Sequence, residues 1–537
     1  MLPFMRTFRN FRQKKQEVAR ISITGKSISR EELFTYTNGR FLVDEEHQFT
    51  RRYRKFSLDA LCDIVATADG SSSRITDIDK LEGGFSKALL MTKEDGTQLI
   101  AKIPSRIAGP PFYTTASEVA TLGYIRNYTS IPVPRVHSWS ADDSDPVQAE
   151  YIVMEKATGV PLYERWPTMT ELEKLELIKH LTQLEAQLSA IPFPAYGGLY
   201  LRTDANRFQH QDLGSDVDKQ QLFCVGPSPD CSIDVDTVAE MSKGSWSSIS
   251  DFGRSIAKRE LSRIAKQSPD RQPVVHRGSS QEQAHLLENA IALMPLLDSH
   301  PTLSQLSQPT LWHTDLHMGN IYVAPENCSQ ITALIDVQSL SVLPFFLQPP
   351  RDYTRGLVQP VLLHNFDSLD NHEKAAALHE WTQAKLAKAY EVSTFLENRP
   401  AHNAMAVPRV FRELFIRLGE ASEVGIVPLR ECLIQIFQGW SELGFSGNCP
   451  YSFSQEEISA HEQQFYKYQE WKEVQQLAQE TLNTDAEGWV APQVDFGKKQ
   501  SQNRELLAMY IARMAGEKSS EQVRRMWPFP ALHVIEM

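Results

Sequence analysis

The sequence predicts an α+β protein of two lobes, in which a small β-rich N-terminal lobe precedes a large, mostly helical C-terminal lobe with a helical extension. Three observations support this fold class. Short apolar strands separated by turn signals occupy residues 75–157. Apolar residues recur at helical spacing in most of the chain beyond residue 168. Residues 311–338 read as strand, polar loop and strand, which predicts a functional loop held by buried elements.

Length and composition exclude several classes of protein. At 537 residues the chain exceeds one ordinary domain, and its 41% hydrophobic and 23% charged residues are typical of a soluble globular protein. The net charge of −12 argues against nucleic-acid binding, and no apolar run approaches the ~18 residues that span a bilayer. The six cysteines form no CxxC pair, so we expect free thiols in a reducing compartment.

The first residues of the chain are basic. Five cations and three phenylalanines at helical spacing precede Glu17, the first acidic residue. This pattern resembles a mitochondrial transit peptide, so we predict a targeting segment over residues 1–30 and a mitochondrial location, with the matrix as the expected compartment. An ordinary basic terminus on a cytoplasmic protein is the alternative. Residues 31–74 form a lead-in with one helix near residues 58–66.

Residues 75–157 form the predicted nucleotide-binding lobe. Strands are expected at residues 75–81, 88–91 and 98–104. Asp95-Gly96 is a hairpin signal between the last two. The other turn contains a glycine pair, which lets backbone N–H groups approach phosphate oxygens, so Gly83, Gly84 and Ser86 are candidates for binding the triphosphate of ATP. A simple tight turn is the alternative.

Lys102 is a second candidate for phosphate binding. It is flanked by Ile100 and Ile103 in a strand, so its ammonium group needs a partner inside the fold. Glu118, 16 positions later in a helical run, is the predicted partner and would orient the ammonium group towards the α and β phosphates. The alternative is a lysine on an edge strand that reaches out to water.

The end of this lobe offers a site for the adenine ring. Residues 151–155 form a buried strand that leads out into the next lobe. We expect the ring to lie against Met154 and to bond the backbone of the exiting segment, at Glu155 and Ala157.

The second lobe is divided by an insertion. Residues 158–365 form its predicted core, with an insertion at 195–280 whose irregular first part, 195–245, suits substrate recognition. Residues 366–537 form its helical C-terminal part. Capping boxes are predicted at Thr168 with Glu171 and at Ser454 with Glu457. Helices are predicted at 249–266, 281–297, 371–396, 408–419, 426–443, 454–480 and 499–515. One apolar helix face is predicted to contain Leu172, Leu175, Ile178, Leu181, Leu184 and Leu188.

The catalytic candidates lie in the loop of residues 311–338. His313 and Asp315 follow an apolar run, Asn320 lies five positions beyond Asp315, and Asp336 ends the next apolar run. Phosphoryl transfer needs this set, with Asp315 as the carboxylate that accepts the proton of the attacking hydroxyl and Asn320 and Asp336 as ligands of Mg²⁺ against the phosphates. His313 is the second catalytic candidate. The alternative is a strand–turn–strand with solvated polar residues.

Two further sequences spell Asp-Phe-Gly, the magnesium-binding tripeptide of protein kinases. Asp251 precedes the catalytic loop and Asp495 follows it far downstream. Neither ends a buried strand about 20 residues after the loop, as that chemistry requires. We therefore predict that both aspartates are helix caps or turn residues.

These residues resemble the aminoglycoside phosphotransferase and choline kinase group of the protein-kinase-like fold. The segment from His313 to Asn320 is close to that group's H-G-D-L-H-x-x-N, and Ile335-Asp336 matches its I-D-W or I-D-F, with Val337 in place of the usual aromatic residue. Glu82-Gly-Gly and Ile131-Pro-Val-Pro-Arg135 also resemble the group. The resemblance covers residues 75–365 and implies a bilobal protein-kinase-like fold.

A closer resemblance covers most of the chain. The segments that begin at Ala108, Phe223 and Trp246 are similar to the fungal family named "altered inheritance of mitochondria" protein nine. Together these features predict an ATP-dependent phosphotransferase, with Mg²⁺, that acts on a hydroxyl of a small molecule. An ATP-binding pseudokinase or regulatory protein of mitochondria is the alternative, and transfer onto a protein is a third reading.

Overall fold

The computed structural model describes residues 18, 20–142, 144–230, 244–266, 278–338, 340–348 and 359–530. Most of the predicted targeting segment therefore lies outside the described residues, as do parts of the predicted insertion. The chain divides into two compact units. Unit 1 consists of Met1–Gly39, Glu46–Ala108 and Arg135–Lys156, and unit 2 of Arg40–Glu45, Gly109–Pro134 and Ala157–Met537.

The elements of the described residues alternate between strands and helices in the first third of the chain and are mostly helical afterwards. The strands are β1 (Arg20–Ile23), β2 (Lys26–Ser27), β3 (Arg40–Phe41), β4 (Ile75–Glu82), β5 (Ser86–Lys93), β6 (Gln98–Pro104), β7 (Val136–Ser140), β8 (Tyr151–Glu155), β9 (Val160–Pro161), β10 (Gly198–Leu201), β11 (Gln211–Asp212), β12 (Phe223–Gly226), β13 (Pro309–Leu311), β14 (Ile321–Ala324), β15 (Asn327–Leu334), β16 (Val342–Pro344) and β17 (Trp489–Val490). The α-helices are α1 (Glu45–Arg52), α2 (Leu58–Thr67), α3 (Tyr113–Tyr128), α4 (Leu162–Arg165), α5 (Glu171–Ser189), α6 (Ile249–Lys266), α7 (Ser280–Asp298), α8 (Leu303–Leu306), α9 (Asn371–Glu397), α10 (Arg399–Met405), α11 (Arg409–Gly419), α12 (Val427–Gln438), α13 (Gln455–Leu482), α14 (Phe496–Arg513) and α15 (Ser520–Met526).

Unit 1 is built on a seven-stranded sheet with the order β2-β1-β4-β5-β6-β8-β7. The three predicted strands are β4, β5 and β6, which pair antiparallel with their sequence neighbours. The hairpin predicted at Asp95-Gly96 is confirmed, because Gly96 adopts a φ of +86° and Lys93 N–H donates to Thr97 O at 2.8 Å. Leu61 and Val65 of α2 are buried in the same apolar cluster as Ile78, so the predicted lead-in helix covers one face of the sheet.

Unit 2 contains a helical core. Its largest apolar cluster joins α6, α7, α11 and α12, with Phe252, Met294 and Phe415 among its buried residues. A Cβ on Gly253 would approach Met294 Sδ to 2.2 Å, so glycine lets α6 pack closely here without displacing that side chain. The structure confirms α6, α7 and α9 to within one residue of the predicted ends. The α+β fold class is confirmed.

The start of α5 differs from the prediction. The capping box is formed by Thr170 and Glu173 rather than by Thr168 and Glu171, because the Thr168 hydroxyl already donates to Arg165 O at 2.9 Å in a preceding 3₁₀ turn. The predicted apolar face is also partly wrong, since Leu172 and Leu175 are exposed while Leu184 and Leu188 are buried. The capping box predicted at Ser454 with Glu457 is confirmed.

The insertion is more regular than predicted. Between residues 195 and 230 it holds a three-stranded sheet of order β10-β12-β11. Two small residues allow the strands to approach, because a Cβ on Gly197 would lie 2.1 Å from Gly226 O. The fully buried Phe-Cys-Val-Gly of β12 pairs with β10 and gives the sheet its apolar centre.

The two Asp-Phe-Gly sequences have structural roles, as predicted. Asp495 is the N-cap of α14, where its carboxylate accepts a hydrogen bond from Lys498 N–H at 3.0 Å. Asp251 lies exposed in the first turn of α6, and its N–H donates to Ser248 Oγ at 3.0 Å.

Over the described residues, no helix has the length and hydropathy to cross a bilayer. The five cysteines within the described ranges are free thiols.

A buried carboxyl group between α5 and α9 provides a test of this packing. The hydroxyl of Tyr390 donates to Glu185 Oε2 at 2.7 Å, and burial raises the pKa of Glu185 to about 8. The neutral acid is therefore the form that the fold favours. Its stabilising contribution is complete below the usual value of 4.5 and is lost as the pH rises through the raised pKa.

We predict that stability against urea falls as the pH rises from about 5 to about 8, by up to about 1.4 kcal/mol per pH unit for this one group. Glu185→Gln keeps a neutral side chain and should remove this part of the slope. Glu176→Gln, an exposed change on the same helix, is the matched control and should retain it. Equal slopes in the wild type and Glu185→Gln would show that Glu185 is not buried as a neutral acid.

Candidate active site

The catalytic candidates lie at one end of the β14–β15 hairpin in unit 2. Antiparallel pairing sets Ile321 opposite Leu334, so Asn320 just before β14 and Ile335 just after β15 meet at the same end. Ile335 N–H donates to Asn320 O at 3.0 Å, which extends the pairing by one residue. The register of a single hairpin thus brings the predicted metal ligands Asn320 and Asp336 to the same end.

His313 joins the two sides of this end. Its Nε2 lies 2.9 Å from Ile335 O, next to Asp336, and its Nδ1 accepts a hydrogen bond from Asp315 N–H at 3.4 Å. An Nδ1 that accepts must be unprotonated, so Nε2 carries the proton and donates to Ile335 O. The imidazole is therefore neutral and bridges the strand that leads to Asp336 and the loop that carries Asp315.

Burial supports the same protonation state. His313 is 6% exposed, and desolvation lowers the pKa of its imidazole below the usual value of 6.5, against the opposing effects of Ile335 O, Asp336 and Asp315. Both ring nitrogens are engaged within the loop. The geometry therefore favours a positioning role for His313 over direct proton transfer.

Asp315 is held by its backbone while its side chain is exposed. Its N–H is bonded to His313, and its carbonyl oxygen accepts from Asn320 Nδ2 at 2.9 Å and from His317 N–H at 3.0 Å. The carboxylate itself lies on the exposed side of the loop. A carboxylate on a fixed backbone with access to solvent can meet the hydroxyl of a second substrate.

Asp336 has an unusual backbone conformation. Its φ is +60°, in the left-handed region that non-glycine residues seldom adopt, and its side chain is exposed. Such conformations cost about 1–3 kcal/mol and persist where the surrounding structure holds them. Here the flanking residues are held on both sides, since Ile335 is bonded to His313 and Asn320 and the side chain of Val337 is buried.

The donor set suits a hard divalent cation. The Asn320 Nδ2 group donates to Asp315 O, and within the described residues its Oδ1 accepts no hydrogen bond, so that oxygen can serve as a ligand. Carboxylate and amide oxygens are what Mg²⁺ prefers, and it commonly uses only one or two protein carboxylates with water and phosphate completing its shell. No cluster of three or more acidic, histidine or cysteine side chains that could hold a metal ion occurs among the described residues.

The predicted phosphate-binding turn lies in unit 1, between β4 and β5. Gly83 N–H donates to Ser86 O at 3.1 Å, so Gly83, Gly84 and Ser86 form one tight turn. Neither glycine has a positive φ, so backbone strain does not require them. A Cβ on Gly84 would meet nothing within 4 Å, which leaves the outer side of the turn open to a ligand.

Lys102 lies in the centre of the sheet of unit 1. It is paired with Ala88 of β5 on one side and Ile152 of β8 on the other, and it is 6% exposed. The alternative of a lysine on an edge strand is therefore wrong. Glu118 belongs to unit 2, so its pairing with Lys102 stays a prediction.

The residues predicted to hold adenine lie where unit 1 ends. Met154 is buried in β8, and Glu155 follows it at the end of the strand. Glu155 N–H donates to Arg135 O at 2.9 Å, so that donor is already used within the sheet. Ala157 is the first residue after unit 1, and its role stays a prediction.

The helix that carries Glu118 is fixed to the insertion, which the sequence did not reveal. The hydroxyl of Tyr128 on α3 donates to Asp218 Oδ1 at 2.7 Å, and Asp218 Oδ2 accepts from Phe223 N–H at 2.8 Å. Tyr124 OH donates to Val217 O at 3.0 Å. Asp218 is fully buried in this contact. The four-residue spacing of Tyr124 and Tyr128 on α3 is the feature of the sequence that could have indicated this contact.

The Ile131-Pro-Val-Pro segment is hydrogen-bonded to the β14–β15 hairpin, which we call the catalytic hairpin. Pro132 O accepts a hydrogen bond from Leu334 N–H at 2.8 Å, two residues before Asp336. This segment therefore supports the strand that ends at the predicted metal ligand.

Comparison with known proteins identifies the family of this chain. The model of the APH family, described as the phosphotransferase enzyme family, matches residues 77–345. The chain belongs to this phosphotransferase family. The match includes both the glycine turn and the catalytic hairpin. The protein is therefore a kinase-like phosphotransferase, whereas the roles of its individual site residues stay predictions.

Relatives of this phosphotransferase occur in fungi. A subtelomeric hrmA-associated cluster protein of Aspergillus fumigatus is 30% identical, with 84% of this chain and 96% of the relative covered. A mitochondrial protein of Yarrowia lipolytica named altered inheritance of mitochondria protein 9 is 25% identical, with 86% and 85% covered. Among solved structures, ADP-bound aminoglycoside phosphotransferase APH(2'')-Ib is 16% identical, with 72% and 100% covered and a TM-score of 0.34.

We predict that His313→Ala loosens the catalytic hairpin. The change leaves the buried Ile335 O without its donor, which should lower the free energy of unfolding by about 1–3 kcal/mol. Hydrogen exchange should become faster across residues 313–320 and 335–337. His317→Ala is the matched control, because His317 is exposed and its side chain accepts only the nearby Gly319 N–H. Unchanged protection of residues 335–337 in His313→Ala would contradict the bridging role.

Proposed function

We propose that this phosphotransferase moves the γ-phosphate of ATP, with Mg²⁺, to a hydroxyl group of a small molecule. The observation that carries the proposal is the bridge made by His313, which ties the loop of Asp315 to the strand that ends at Asp336. An arrangement of one exposed base and one separate acidic ligand, held by a neutral buried side chain, is what phosphoryl transfer requires of a protein.

Asp315 acts as the base in this proposal. Its carboxylate accepts the proton of the acceptor hydroxyl, whose oxygen forms the new bond to the γ-phosphorus. The bond between that phosphorus and the oxygen that bridges it to the β-phosphate breaks. The products are ADP, a phosphate monoester and a proton on Asp315, which passes to solvent because the side chain is exposed.

Asn320 and Asp336 bind the metal in this proposal. Mg²⁺ bound there would neutralise charge on the phosphate oxygens. Asn320 offers its amide oxygen because the amide nitrogen holds Asp315 O. Asp336 offers an exposed carboxylate on a backbone held by Ile335 and Val337.

The sheet of unit 1 supplies the nucleotide site in this proposal. The turn of Gly83, Gly84 and Ser86 covers the phosphates, Lys102 contacts the α and β phosphates with Glu118 as its partner, and adenine lies against Met154 near Glu155 and Ala157. The central, buried position of Lys102 supports this assignment, because such a cation needs an anionic partner.

The acceptor is proposed to be a small molecule of unidentified class. If the acceptor were cationic, Asp212, Asp216 and Asp218 would be the acids of the insertion to bind it, but the structure gives this little support. Asp212 is paired with Arg202 at 3.0 Å and Asp218 is bonded to Tyr128 and Phe223, so both are engaged within the protein.

The proposed location is the mitochondrion, with the matrix as the compartment. The basic first residues and the name of the Yarrowia lipolytica relative support it.

A nucleotide-binding regulator is the second candidate function. It is favoured by the separate apolar cluster of α13 to α15, which lies beyond the family match and gives this protein a further folded surface.

We predict that the two carboxylates separate by role. Asp315→Asn should lower turnover by roughly 10²–10⁴-fold with little change in the affinity for Mg-ATP. The change removes the base but leaves the proposed contacts to the phosphates intact. Asp336→Asn should weaken Mg-ATP binding as well as turnover. Binding is measured by isothermal titration at fixed Mg²⁺, and turnover by transfer of label from γ-labelled ATP in a metabolite extract.

Asp251→Asn is the matched control. It makes the same change at an exposed carboxylate in an Asp-Phe-Gly sequence on α6, which has no place in the proposed site. The roles are reversed if Asp315→Asn loses nucleotide binding and Asp336→Asn does not. Tight Mg-ATP binding by a wild-type protein that labels no acceptor would favour the regulator.

We also predict that residues 1–40, fused to a fluorescent reporter, direct it to mitochondria. Replacing the five cations that precede Glu17 with glutamine should abolish import, because transit peptides depend on positive charge. A diffuse cytosolic signal from the unaltered fusion would remove the proposed location.

A further inference from the structure

The lead-in segment Glu31–Arg52 makes direct hydrogen bonds to the glycine turn of unit 1. Asn38 Nδ2 donates to Glu82 O at 2.6 Å, and Arg52 Nε donates to Gly84 O at 3.3 Å. Thr37 donates twice to Glu82 Oε2, from its N–H at 2.7 Å and from its hydroxyl at 2.8 Å. Glu82 and Gly84, on either side of Gly83, are thus tied to residues that precede them by more than 30 positions.

A group of buried charges lies beneath the same turn. Glu82 is 3.0 Å from Lys80 Nζ and 3.5 Å from Lys87 Nζ, and the three side chains are 4%, 0% and 0% exposed. Lys87 Nζ also donates to Arg52 O at 2.5 Å, and Lys80 Nζ donates to Glu32 O and Thr35 O at 2.9 and 2.7 Å. The carbonyl groups of the lead-in therefore complete the shells of both ammonium groups.

This group consists of two buried cations that share one buried carboxylate. Lys80 and Lys87 both pair with Glu82, and Glu32 also attracts Lys80. Burial is the main cause that lowers the pKa of Lys87 to about 8, with Lys80 and Arg52 adding repulsion. Buried charges are stable only while they stay paired, so the hydrogen bonds from Thr37 to Glu82 help to keep this group in place.

The position of the turn indicates which ligand it serves. The turn of Gly83 and Gly84 directly follows Glu82, and the space beside Gly84 is open. Backbone N–H groups of such a turn form a site for phosphate oxygens. The lead-in lies outside the matched family region, which begins at residue 77.

We propose that the lead-in segment is a positioning element for triphosphate binding, which holds the glycine turn through Glu82 and Gly84. The proposal rests on the nucleotide site described under the proposed function. It assigns to Thr37, Asn38 and Arg52 an effect on the β and γ phosphates of a nucleoside triphosphate, transmitted through the turn.

The test compares two identical substitutions in one segment. Thr37→Val removes the hydroxyl that holds Glu82, whereas Thr35→Val removes a hydroxyl that bonds only Glu32 O at 3.4 Å. Isothermal titration with Mg-ATP and with AMP is the measurement. The Thr37 hydroxyl donates to Glu82 and also accepts from Lys80 Nζ at 3.0 Å, so we expect Thr37→Val to weaken Mg-ATP binding by at least roughly tenfold, with AMP binding unchanged. Thr35→Val should change neither, and Thr37→Ser should restore the Mg-ATP affinity.

Asn38→Ala provides a second route, because it cuts the bond to Glu82 O and leaves the buried charges in place. It too should weaken the binding of Mg-ATP and not of AMP. Equal losses for Mg-ATP and AMP in these variants, or no loss in either, would overturn the proposal while leaving the proposed function intact. A wild-type protein that binds neither nucleotide would overturn both.

Discussion

The hydrogen bonds of one buried imidazole decide the geometry of the catalytic hairpin. His313 donates to Ile335 O and accepts from Asp315 N–H, so the loop and the strand that carry the two proposed acids are joined by a single rigid ring. The arrangement works only with a neutral ring, since a protonated Nδ1 would oppose the Asp315 N–H. Burial supplies that condition by lowering the pKa of the ring. The left-handed backbone of Asp336 follows from the same constraint, because the residue before it is held by both His313 and Asn320.

In unit 1, buried charged side chains hold a turn in place, as the buried imidazole holds the catalytic hairpin of unit 2. Lys80 lies on the core side of β4 while Leu81 beside it is exposed, which inverts the usual alternation of a half-buried strand. The inversion is tolerated because Glu82 and the carbonyl groups of the lead-in surround the ammonium groups. The buried charges and the lead-in thereby hold the glycine turn of the sheet, at the cost of desolvating Lys80 and Lys87.

Segments that are distant in sequence support parts of the proposed site. The lead-in, which precedes the family region, holds the glycine turn, and the sheet of the insertion holds α3 through Asp218. The Ile131-Pro-Val-Pro turn holds β15 through Pro132 O. Each support is a hydrogen bond that local sequence spacing does not reveal.

The sequence by itself determined the strands at 75–104, most long helices and the spacing of His313, Asp315, Asn320 and Asp336, because these depend on local periodicity, turn chemistry and short-range motifs. It did not determine that Thr170 caps α5, that Leu172 is exposed, that Asp218 is buried, or that Glu82 holds two lysines. Only the tertiary structure decided these features. The physical reason is that burial and the pairing of a polar group depend on which distant segment arrives beside it, and local spacing carries no record of that partner.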